Sequence, residues 1–114
     1  MHIRYRGTGN LGFLELHYAD HAAKGLIDDG PINDVACIYY LVSKNTEKKA
    51  YVSVLFGYMN GVYSTVGTLY LGNNITITNL IIKNNEVYVT FVDSDGNEIN
   101  RIIGYDGELI NFVG

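Results

Sequence analysis

The sequence predicts an all-β domain of mainly antiparallel strands, a sandwich or a partly open barrel, with at most one short helix near 19–25. Two observations carry this. Turn signals recur at intervals along the chain: Gly7-Thr8-Gly9-Asn10, Asp28-Asp29-Gly30-Pro31, Asn60-Gly61, Gly72-Asn73-Asn74, Asn84-Asn85, Asp95-Gly96 and Asp106-Gly107. Asn and Gly tolerate the positive φ that tight hairpins require. The segments between are short, rich in Val, Ile, Thr and Tyr, and alternate with a period of two.

Strands are expected at 2–6, 11–18, 34–43, 50–57, 62–71, 75–82, 86–92, 98–103 and 108–113. Between the second and third, "YADHAAKGL" reads as one or two helical turns. Asp20 would cap it, Ala22-Ala23 favour it and Gly25 would end it. In 34–43 both faces are apolar: Val35, Cys37, Tyr39 and Leu41 on one, Ala36, Ile38, Tyr40 and Val42 on the other. That predicts a central strand covered on both sides. In 50–57, Val52, Val54 and Phe56 share a face. In 62–71, strict alternation puts Val62, Ser64, Val66, Thr68 and Tyr70 together, opposite Tyr63, Thr65, Gly67, Leu69 and Leu71. In 75–82 the apolar phase changes at Asn79, which predicts a bulge or a crossing between layers. Val87, Val89 and Phe91 resume a regular strand, joined to 75–82 in a hairpin through Asn84-Asn85.

Length and composition set the class. A chain of 114 residues, 47% hydrophobic and 18% charged, is one globular domain, 1–114. Its net charge is −4 and its pI about 5.1. That balance argues against a nucleic-acid footprint and against polybasic membrane contact. No apolar run reaches the ~18 residues of a membrane helix. The single cysteine, Cys37, precludes an intramolecular disulfide and reads as a buried, unreactive core residue. No secretory leader precedes the strand-like "IRYR".

From Asp29-Gly30 onward the order of motifs resembles a family of small bacterial envelope domains found on lipoproteins and secreted proteins. Asp34-Val35-Ala36 matches its Asp-Ala-Ala element at the head of an aliphatic strand. Tyr51-Val52-Ser53-Val54 matches its aromatic strand, Asn60-Gly61 its short hairpin, and Leu71-Gly72-Asn73 its "LGD" element. The resemblance covers about 29–92. The stretch "SKNTEKKA" stands where the family has a Gly-rich turn. The resemblance implies a β fold and a periplasmic, cell-envelope or secreted location. It implies no activity, and without a leader a cytoplasmic location stays open.

Candidate chemistry is sparse. Asp28, Asp29, Asn33 and Asp34 place four oxygen-bearing side chains in seven residues. They read either as a turn bonding its own backbone or as ligands for a hard cation such as Ca²⁺. "DSDGNE" at 93–98 lacks the calcium-loop spacing and reads as a hairpin turn. His17 and His21 lie near Asp20 and Glu15, short of the three or four converging ligands of a metal centre. No serine sits in a nucleophile elbow and no Gly-rich loop joins strand to helix. The distinctive feature is ten tyrosines without a tryptophan. They read as cross-strand packing or as a binding surface. The expected function is therefore a non-enzymatic binding module for a protein or glycan, with Tyr58, Tyr63 and Tyr70 as its exposed patch. The alternatives are a structural subunit of a surface or virion layer, or an intracellular inhibitor carried by a mobile element.

Overall fold

A computed structural model describes residues 2–6, 13–28, 30–43 and 47–113. Among these, two antiparallel sheets form a sandwich-like fold, and no residue is helical. The first sheet has the order β1 (His2–Arg6), β2 (Phe13–Gly25), β3 (Asp34–Ser43), β4 (Lys48–Gly57) and β5 (Tyr63–Asn73). The second runs β6 (Thr76–Lys83), β7 (Glu86–Val92), β8 (Glu98–Tyr105) and β9 (Ile110–Val113). Every pairing is between consecutive strands, so each sheet is a meander. The turn Gly7–Asn10 lies outside the described residues.

The core is where the two periodicities meet. Ala36 and Ile38 of β3 and Ala50, Val52, Val54 and Phe56 of β4 face Ile77, Leu80, Val87, Val89, Phe91 and Ile103 of the second sheet, all buried. The sheets touch along two lines, β2 on β6 and β5 on β9. Glycine permits each approach. A Cβ on Gly25 would lie 2.7 Å from Ile82 Cγ2, and one on Gly67 would lie 2.8 Å from Ile110 Cγ1.

The helix expected near 19–25 is instead the second half of β2. A register shift between Tyr18 and Ala22 lets the strand continue, and Ala22 to Gly25 pair with Cys37 to Asp34. Helix propensity is a weak prior, and pairing with β3 together with the Gly25–Ile82 contact overrides it. The phase change at Asn79 is a register shift between Ile77 and Asn79, and the β6–β7 hairpin closes through Asn84 and Asn85, both at positive φ (53° and 64°). β3 is central in its sheet, but only one face lies in the core. Val35, Cys37, Tyr39 and Leu41 are half-buried on the outer face, so Cys37 is not a core residue. In β5, strict alternation fails at Val66, the extra residue between the pairs Val54–Gly67 and Leu55–Thr65. Tyr63, Thr65, Thr68 and Tyr70 consequently share the outer face. Val66, Leu69 and Leu71 turn toward the core.

Candidate functional site

The meander sends four connections to one end of the sandwich: residues 26–33, 58–62, 84–85 and 106–109. Tertiary bonds tie them together. Asn85 Nδ2 donates to the Leu26 carbonyl (3.4 Å). Phe56 and Tyr105 meet edge to face with ring centroids 4.9 Å apart.

Asp34 is the anchor of this end. Its side chain is fully buried. Its Oδ2 accepts from the backbone N–H of Ile27 (2.9 Å) and Asp28 (3.2 Å), and its Oδ1 accepts from that of Gly57 (3.1 Å). One carboxylate thus clamps the β2–β3 loop to the end of β4. A buried charge persists only when so bonded. Asp28 Oδ1 accepts from Gly30 N (3.1 Å), and Asn33 is exposed. Asp29 lies outside the described residues. Among the described residues no three His, Cys, Asp or Glu side chains converge as a metal set. His21 sits at the β2 bulge with its Nδ1 buried and no hydrogen-bond partner among the described residues.

Two adjoining clefts open at the same end, of about 370 and 380 Å³, sharing Asn85, Tyr105 and Asp106. These volumes fall in the ligand-pocket range of about 300–1,000 Å³. Glu86 and Leu109 line the first, Ile27 and Asp28 the second. Asp106 Oδ1 accepts from the backbone N–H of Leu109 (2.9 Å) and Glu108 (2.8 Å). Those bonds hold its carboxyl below the usual range. The β4–β5 connection lies at the same end and lines neither cleft. Tyr58 N donates to the Val62 carbonyl (3.0 Å), and Gly61 turns the chain at φ 81°. Met59 at its tip is 79% exposed.

Of the three tyrosines expected to form a patch, the structure brings Tyr58 and Tyr63 together at this connection, both exposed. Tyr70 stands about 20 Å farther along β5, at about 3.3 Å per residue. It ends a row that crosses the outer face: Tyr39 stacks on Tyr51 (centroids 5.2 Å, planes 12° apart), and Tyr51 meets Tyr70 (5.5 Å, 54°). Tyr70 also donates through its hydroxyl to Asn73 Oδ1. Beside the row, Ser53 Oγ and Thr68 Oγ1 share a hydrogen bond of 2.7 Å. The rings of Tyr39 and Tyr51 cover one another, so this row presents ring edges to solvent.

Sequence reasoning missed Leu26, Met59, Val62 and Leu109, all exposed at the loop end. The signal was present. Turns favour polar and small residues, yet Met59 and Val62 flank Asn60-Gly61, and Leu109 stands two residues after Gly107. Comparison of the chain with protein-family models, curated proteins and solved structures found no match.

Proposed function

We propose that this domain is a binding module that recognises a protein partner through the loop end of its sandwich. One observation carries the reading. Among the side chains described, at 21–28, 30–43 and 47–113, nine large apolar or tyrosine residues are exposed, and five of them sit on the connections of this end: Leu26, Tyr58, Met59, Val62 and Leu109. Grouped apolar exposure marks interaction surfaces, whereas scattered single residues do not. The arrangement also supplies what a protein contact uses: projecting anchors, and a loop held by the Asp34 clamp. Its proposed compartment, periplasm or cell envelope, rests on the motif resemblance over 29–92.

A photo-crosslinking residue at position 59, with one at the exposed Ser94 of the opposite end as control, tests the reading in an extract of the source cells. Position 59 should yield a discrete cross-linked protein and position 94 should not. The captured protein is then purified and titrated. Met59→Asp with Leu109→Asp should weaken binding at least tenfold, about 1.4 kcal/mol. Unchanged affinity, or capture of a glycan in place of a protein, would overturn the proposal.

A further inference from the structure

The four sheet edges are not alike. β1 reads "HIRYR", with two arginines, and β6 carries Lys83. β9 is only four residues long. Charge and brevity are two of the devices by which natural sheets block pairing with another chain; β5 shares register shifts with β6 but not its charge. β5 has eleven residues with no Asp, Glu, Lys, Arg or Pro. It lies within 50–82, a stretch without a single charged residue or histidine. In a chain of net charge −4, this is the edge that a like-charged copy approaches at least electrostatic cost.

The edge is also complementary to itself. Read from Tyr63 to Tyr70 the sequence is "YSTVGTLY", with Tyr, Thr, Thr and Tyr symmetric about the midpoint between Val66 and Gly67. In a regular strand this symmetry would be useless. Residues 66 and 67 would point to opposite faces, and no two-fold axis normal to the sheet could pass between them. The irregularity at Val66 removes that obstacle. Val66 packs toward the core, and Gly67, opposite Val54 and against Ile110, lies on the same side. The outer face then carries Tyr63, Thr65, Thr68 and Tyr70.

We infer that two copies of this chain pair antiparallel along β5, about a two-fold axis between Val66 and Gly67. The five-stranded sheets join into one ten-stranded sheet. On the outer face Tyr63 meets Tyr70 of the second copy and Thr65 meets Thr68, both favourable cross-strand pairs. On the core side Ser64 meets Leu69, and Val66 meets Gly67. The tyrosine row Tyr39–Tyr51–Tyr70 extends across the junction onto Tyr63 of the other copy. Tyrosines far apart in one chain thereby become neighbours. The contact is isologous and closes on itself, giving a dimer and not a filament.

The test is solution mass at about 100 µM, followed by charge complementation. The wild type should have twice the 12.7 kDa chain mass. T65K/T68K and T65E/T68E should each be monomeric, because the pairing sets like charges opposite one another. Mixed one to one, they should recover the double mass through Lys–Glu pairs. Independently, Tyr63→Cys with Tyr70→Cys on a Cys37→Ser background should give a disulfide-linked dimer under mild oxidation. A monomeric wild type overturns the inference. So do charged variants that stay dimeric, folded charged variants that fail to recombine, or a cysteine variant that does not cross-link.

Discussion

Removing the Asp34 carboxylate should cost more than any other single change at the loop end. In Asp34→Ala, three backbone N–H groups lose their acceptor: Ile27, Asp28 and Gly57. A hydrogen bond to a charged group contributes about 1.5–3 kcal/mol, and a donor left unsatisfied costs about 1–3 kcal/mol. The Ile27 bond is buried and the other two part-buried, so water repairs some of the loss. A destabilisation of about 3–5 kcal/mol follows, a large share of a small domain's stability. Asp34→Asn keeps one acceptor oxygen. Turned toward Ile27 and Asp28, it faces an amide NH₂ against the Gly57 N–H, and the cost should fall to about 1.5–3 kcal/mol. Urea denaturation reads both values. The ranking Ala worse than Asn, with unchanged slope, is the expected result. A cost below about 1 kcal/mol for Asp34→Ala would refute the clamp. Calcium provides a second arm. If Asp28, Asp29, Asn33 and Asp34 held the ion, millimolar Ca²⁺ would raise the melting temperature by mass action. With both Asp34 oxygens bonded to backbone, no shift is expected.

Three further outcomes follow. Gly67→Ala should destabilise by about 1–3 kcal/mol, since its Cβ would lie 2.8 Å from Ile110 Cγ1; a neutral melt would mean that β5 and β9 are not in contact. Asp106 contributes stability through backbone N–H groups of Leu109 and Glu108 that depress its folded pKa. Its contribution is therefore complete above the unfolded value of about 3.9 and lost as pH falls through the folded one. The stability gap between wild type and Asp106→Ala should be constant from pH 5 to 7 and shrink below about pH 4; a gap that ignores pH would contradict this. Cys37 is half-buried on the outer face, and burial pushes its thiol pKa up. It should be labelled slowly by a thiol reagent without denaturant, and faster as pH rises. Complete protection at alkaline pH would return it to the core.

The sandwich was legible because its turns are chemical. Asn84-Asn85 and Asp95-Gly96 declare hairpins by the φ values they accept, and the period of two assigned faces correctly in β4 and β7. Alternation failed where a strand carries an extra residue. Asn79 announced its bulge because a polar residue interrupts an apolar face. Val66 did not, because an apolar residue there suits either face. The helical reading of "YADHAAKGL" failed for another reason. Its local signals are real, but pairing with β3 and the Gly25–Ile82 contact are tertiary facts that a single segment does not display. The candidate site was half legible. Tyr58, Tyr63 and Tyr70 are exposed, as a binding surface requires, yet their grouping depends on which loops share an end. The same holds for Asp34. Its sequence neighbours suggested a turn or a metal loop, while its third partner, Gly57, lies 23 residues away.

The most direct test of the binding reading is amide chemical-shift mapping with the purified cross-linked partner. Perturbed residues should cluster in 26–33, 58–62, 84–85 and 106–109, with Met59 and Leu109 among the largest changes. Perturbations confined to the opposite end, at 74–75 and 93–97, or to the outer face at Tyr39 and Tyr51, would contradict it.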